Sequence, residues 1–134
     1  MNTGFDWWLR VYWEDTDAGG VVYYANYLKF FERGRTEWLR SLGFDQEPLR
    51  AQGLGMFVVS QVQARYIASA RLDDRLRVNT RLLDCGRASV RLGQTVWRQG
   101  TPERLLCEGT IRAGWVDSGG RPCRIPQSLL NALT

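Results

Sequence analysis

Apolar residues recur with two different periods along the chain. In residues 7–14, WWLRVYWE, aromatic and β-branched side chains are dense enough to predict a first strand. From Asn26 to Leu42 the spacing lengthens. Tyr27, Phe31, Gly34, Trp38 and Leu42 fall three or four residues apart, forming one stripe of a helix, with Lys29, Arg33, Thr36, Glu37 and Arg40 opposite. Asn26 suits the N-cap and Gly43 the C-terminal stop. Residues 45–52 read as a short helical turn. After it the period drops to two: Val58, Ser60, Val62, Ala64, Tyr66 and Ala68 alternate with Val59, Gln61, Gln63, Arg65 and Ile67. The same rhythm returns over 76–85, 88–98 and 104–117, between turn material at Arg71–Asp74, Cys85–Gly86 and Gly100–Pro102. Four consecutive strands with short connections predict an antiparallel four-strand meander, and IPQSLLNAL at 125–133 predicts a short terminal helix.

A lone helix with an apolar stripe has to lie on one face of the sheet. The pattern therefore predicts a single α+β domain over residues 1–134, in two layers. Gly34 sits inside the stripe, where glycine costs about 1 kcal/mol against alanine; close approach of the helix backbone to the sheet would account for it. Arg35, at the stripe's edge, is expected to pack its stem and leave its charge in solvent. Apolar side chains left on the other sheet face predict oligomerisation.

Composition narrows the functions. A hydrophobic fraction of 44% with six tryptophans, five tyrosines and five phenylalanines argues against disorder. No run of 18 apolar residues predicts a transmembrane helix, and MNTGFDWWLRVYWEDTD lacks the features of a signal peptide, so a cytoplasmic location is expected. Cys85, Cys107 and Cys123 are odd in number and widely spaced, which fits neither a disulfide framework nor a zinc site. The count of histidines is zero, which removes Ser-His-Asp, Cys-His and HExxH chemistry together. The net charge of +4 is modest, and the arginines from Arg65 to Arg98 are scattered as on a solvated strand face. With no nucleic-acid-binding signature beside them, a nucleic-acid partner is not expected.

Candidate chemistry concentrates in WEDTDAGGVVYYANY, residues 13–27. As a calcium loop DTDAGG fails, because the twelfth position is Asn26 rather than a bidentate Glu. As a plain turn, Asp15 and Asp17 would bind backbone amides. As a catalytic loop, a carboxylate would face the unpaired N–H groups at the start of the following helix, leaving room for a polarised carbonyl.

The segment RVYWEDTDAGGVVYYANYLKFFERGRTEWLRSLG resembles the hotdog-fold acyl-CoA thioesterases of the 4-hydroxybenzoyl-CoA thioesterase and YbgC-like, Tol-Pal-associated group. The resemblance continues through ARLDDRLRV at 70–78 and VDSGGRPCRIP at 116–126. It implies a hotdog fold, one long helix packed on about five antiparallel strands, assembled as a homodimer or homotetramer. It also implies that Asp17 is the catalytic carboxylate, as nucleophile or general base, and that the Tyr24 backbone amide donates to the thioester oxygen. Gly20, Val21, Val22 and Tyr23 would line the substrate. Arg87 and Ser89, in the CGRAS turn, would meet coenzyme A, which belongs to the substrate and is not a separate cofactor. Many YbgC-like chains carry histidine where this one has Tyr24, so an imidazole mechanism is excluded and the amide role survives.

General chemistry supports a thioester independently. A thiol leaving group with a pKa of about 8.5 departs with little help from a general acid, which suits a site without histidine. Asp15 is expected to fix the loop, and Glu32, bordering the helix stripe, is a secondary candidate. One partner beyond acyl-CoA enters through the resemblance, acyl carrier protein as an alternative carrier. The alternative function is a non-catalytic hotdog protein that binds acyl-CoA or acyl carrier protein.

Overall fold

The structure, a computed structural model, describes residues 4–134. Its elements are β1 (Phe5–Arg10), a 3-10 turn (Trp13–Asp15), α1 (Asn26–Ser41), α2 (Gln46–Ala51), β2 (Met56–Tyr66), β3 (Arg75–Cys85), β4 (Ser89–Arg98), β5 (Arg104–Val116) and α3 (Gln127–Leu133). The strands form one antiparallel sheet in the order β1-β3-β4-β5-β2, with α1 lying across it. This is the hotdog fold.

Several expectations need correction. The first strand is shorter than 7–14: the chain leaves the sheet after Arg10, because the Asp15 carboxylate accepts the Tyr12 N–H at 2.9 Å and curls residues 13–15 into a 3-10 turn. Ala25, not Asn26, occupies the helix N-cap; the Asn26 side chain instead donates to the Asp15 carbonyl at 2.8 Å. The four later strands are not one meander. Only β3, β4 and β5 follow each other in space, and β2 pairs with β5 at the far edge. Residues 67–74 make that crossover, anchored by the Ile67 N–H on the Leu106 carbonyl at 2.8 Å.

The helix meets the sheet where the stripe predicts. Tyr27, Phe30, Phe31, Trp38 and Leu39 are buried against Leu76, Val78, Leu92, Val96, Ile111 and Trp115. At Gly34 a Cβ would stand 2.8 Å from Val78 Cγ1, so only glycine lets the backbone come this close. α1 then stops before Gly43.

The outer sheet face is polar rather than apolar. Arg77, lying over the Trp97 ring, is held between Asp6 at 3.1 Å and Glu103 at 2.9 Å, and Arg91 pairs with Asp84. Exposed aliphatic surface collects instead on the edge strand β2, at Val58, Val59 and Val62. An uncovered edge strand with apolar side chains is where a second chain can add to the sheet.

Candidate active site

The acidic-glycine loop is a closed structure tied down at both ends. Thr16 bridges to Val22, the Asp17 N–H donates to the Val21 carbonyl at 2.9 Å, and the Gly20 N–H returns to the Asp17 carbonyl at 3.0 Å. Gly20 adopts φ +80°, a left-handed conformation that glycine takes without a Cβ penalty. Asp15 is the fastener: its carboxylate holds Tyr12 N–H, while its carbonyl accepts from Tyr23 N–H at 2.9 Å and from Asn26 Nδ2.

A second tie comes from below. The buried Tyr27 hydroxyl accepts the Ala70 N–H at 3.1 Å, and the Ala70 carbonyl accepts the Val22 N–H at 2.9 Å. Burial is the main reason the Tyr27 phenol is pushed above its ordinary value. The crossover segment, the loop and the first turn of α1 are thus locked together.

Two groups remain available in this frame. Asp17 is exposed, and one of its carboxylate oxygens accepts the Gly19 N–H at 2.8 Å; the other has no partner among the described residues. The Tyr24 N–H, in the turn that leads into α1 one residue before its N-cap, also meets no acceptor among the described residues. Exposed aromatic rings gather at Tyr24, which contacts Tyr23 at 5.0 Å and Tyr66 at 5.7 Å between centroids. The segment offers an anionic oxygen at Asp17 and a free backbone donor at Tyr24, the latter next to tyrosine rings.

The structure does not gather all the sequence candidates. Gly20 and Tyr23 are exposed at the loop and Val21 is half-buried there, whereas the Val22 side chain points into the core and its N–H is already engaged. Arg87 lies in the β3–β4 turn and Ser89 opens β4, at the end of β3 away from Val21 and Arg71. The length of β3 puts them roughly 33 Å from the Asp17 end of the same chain. Glu32 is exposed on α1, one helical turn from Arg35, and both line a cavity of about 170 Å³ between α1 and β2.

Arg35 is placed differently from the sequence expectation. Its guanidinium does not snorkel outward: it donates to the buried Gln94 Oε1 at 3.0 Å. Burial pulls its pKa below the ordinary arginine value, against the opposing charge of Glu32. The available signal was Gln94 itself, a polar residue at an inward position of β4.

A thioesterase is the class that this fold and loop define, and comparison with known proteins agrees. Residues 11–133 match the family model of the thioesterase-like superfamily. The chain belongs to that superfamily. It is 40% identical to the acyl-CoA thioesterase YbgC of Haemophilus influenzae, over 96% of this chain and 93% of that one. It is 41% identical to the acyl-CoA thioester hydrolase YbgC of Escherichia coli, over 97% and 96% of the two chains. A probable thioesterase from Bartonella henselae superposes with a TM-score of 0.86 at 34% identity, over 92% of this chain and all of the other.

Proposed function

We propose that the protein is an acyl-CoA thioester hydrolase in which Asp17 is the acting carboxylate and the Tyr24 N–H polarises the thioester carbonyl. The observation that carries this is the presence, in one fastened segment, of an exposed carboxylate and, just ahead of α1, an amide that has no acceptor among the described residues. An amide aimed at the developing oxyanion contributes about 3 kcal/mol in comparable sites. Asp17 either attacks the carbonyl carbon, expelling coenzyme A thiolate and leaving a mixed anhydride that water opens, or takes a proton from the attacking water. In both routes the products are the free acid and coenzyme A. The relatives' activity on acyl-CoA supports the choice of substrate.

The working unit in this reading is at least a dimer. Two β2 edges pairing antiparallel about a two-fold axis reverse the partner's sheet end for end. The partner's β3–β4 turn, with the partner's Arg87 and the partner's Ser89, then lies at the end where Asp17 sits. This resolves the separation within one chain and covers Val58, Val59 and Val62. Coenzyme A would bridge from one protomer's loop to the other's arginine.

The test is thiol release from short, long and aromatic acyl-CoAs by the protein and its Asp17→Asn variant. Turnover that collapses in the folded variant supports Asp17. Equal rates would sink its role and redirect attention to Glu32. No release from any acyl-CoA would overturn the hydrolase reading.

A further inference from the structure

The cavity between α1 and β2 has apolar walls that include Leu39, Phe57, Val59 and Leu92, and a polar side where the Arg35 guanidinium stands with Glu32 and Gln46. Arg35 enters this slot from α1 and is held from behind by a buried relay. Gln94, 1% exposed, accepts from Arg35 through Oε1 and uses its Nε2 to donate to Thr80 Oγ1 at 2.7 Å and to the Phe31 carbonyl at 2.9 Å. Gly34 makes the relay possible, since a Cβ there would come within 3.3 Å of Gln94 Nε2. Arg35 makes that single hydrogen bond and no ion pair among the described residues. None of its nitrogens is both sealed from solvent and unpartnered, so its remaining N–H groups open onto the slot.

The slot and Tyr24 lie along the same pair of elements. Tyr24 and Tyr66 meet at one end of the gap between α1 and β2, and Arg35 and Val59 face each other across the slot at the other. Exposed Leu28 and Val62 occupy the stretch between them on the same two elements. Arg35 lies nine positions after the helix start at Asn26, roughly 14 Å along the helix axis, and a helical side chain leans back towards the N-terminus. An acyl chain whose carbonyl sits at the Tyr24 amide and which follows this gap therefore approaches the guanidinium end-on. A methylene group pressed against it would strip water from N–H groups that have no other acceptor, which is unfavourable.

From this, and resting on the thioesterase reading above, we infer that Arg35 is a specificity-determining residue that sets the upper length of the acyl chain, with Gln94 as its positioning residue. Chains that end short of the guanidinium bind along the apolar walls, and longer unbranched chains are rejected.

The test measures both dissociation constants of S-alkyl-CoA thioethers, graded from short to long, and hydrolysis of the matching acyl-CoAs, in the wild type and in Arg35→Met and Arg35→Lys. Wild-type affinity is expected to rise about fourfold per added methylene up to a break and then to level or fall. Arg35→Met moves the break to longer chains, and Arg35→Lys keeps a break because it keeps the charge. Should Arg35→Met not fold, Ala113→Leu, which narrows the same slot from β5, is expected to move the break to shorter chains. An identical break in the wild type and every folded variant, with short acyl-CoAs still hydrolysed, overturns the length rule and leaves the thioesterase intact. Shifted binding without hydrolysis by any chain would uphold the slot and remove the thioesterase. Absence of both binding and hydrolysis would remove both.

Discussion

The Tyr27 hydroxyl and the Ala70 N–H, 43 positions apart, share a buried hydrogen bond of 3.1 Å. It joins the first turn of α1 to the crossover, whose Ala70 carbonyl accepts the Val22 N–H and so ties in the Asp17 loop. Tyr27→Phe keeps the ring in its contact with Phe30 and Tyr66 but leaves the Ala70 N–H without an acceptor. The expected cost is about 1–3 kcal/mol of unfolding free energy, read from denaturant midpoints. Turnover should fall as well, because the loop loses its lower tie.

Asp15 and Asp17 separate into two roles that one pair of variants can display. Asp15→Ala removes the acceptor for Tyr12 N–H and should lower stability by about 1 kcal/mol. Asp17→Asn keeps an oxygen for Gly19 N–H and lies on the surface, so its stability should stay within about 0.5 kcal/mol of the wild type. Its turnover should drop by about two to four orders of magnitude. A variant pair in which stability and turnover fall together at both positions would contradict the division.

Much of this arrangement is legible in the sequence. The period of the stripe places α1 and its buried face, and Gly34 announces the contact with Val78. The alternation places four strands, but alternation is a local property and says nothing about which strands become neighbours. β2 therefore reads as part of a meander, although the eight residues between Tyr66 and Arg75 carry it across to the β5 edge. The same limit applies to the site. Asp17 and Tyr24 are close in sequence and legible together, whereas Arg35 and Gln94 meet only in the folded chain, 59 positions apart. Trp13 and Glu14 read as strand because the aromatic run before them carries β propensity, while the hydrogen bond that turns the chain comes from Asp15.

Gly34→Ala tests the helix–sheet contact directly. Alanine gains about 1 kcal/mol of helix propensity, yet its Cβ would stand 2.8 Å from Val78 Cγ1. Overpacking of this kind costs about 1–3 kcal/mol. A net loss of stability is expected, and Val78→Ala in the same chain should restore part of it. Gly34→Ala more stable than the wild type would mean that the helix can lift off the sheet.

Cys107 gives the alkaline behaviour a specific source. Burial in the core, helped by the charge of Glu108, pushes its thiol up to about 12 from an ordinary 9.0. Its folded value lies above its unfolded one, so the contribution is fully present below about pH 9. It is lost as pH rises towards 12, when the unfolded chain sheds the proton that the native state keeps. Near pH 10 the loss should approach about 1.4 kcal/mol per pH unit, with burial of Tyr27 adding to it at higher pH. Cys107→Ala should flatten the slope around pH 10 in urea unfolding. The Cys107 thiol should also resist alkylation in the native protein at about pH 8, while half-exposed Cys85 and Cys123 are reached.

The two-protomer site predicts complementation between inactive chains. In one chain Arg87 sits at the opposite end of β3 from Asp17; a working site built across the β2 edge takes Asp17 from one protomer and the partner's Arg87 from the other. Mixing Asp17→Asn chains with Arg87→Glu chains, followed by subunit exchange, yields mixed dimers in which one site carries both lesions and the other carries neither. Activity at low acyl-CoA concentration should return to about a quarter of the wild-type level once pairing is random in a two-fold dimer. Adding Val62→Glu to both chains places a charge on the uncovered edge strand, where Val62 is 40% exposed, and should abolish both the dimer and the recovery, as read by sedimentation and thiol release. No recovery in mixed dimers that demonstrably form would place Arg87 outside the partner's site, because every mixed arrangement with Asp17 and Arg87 on one chain leaves a lesion in both sites.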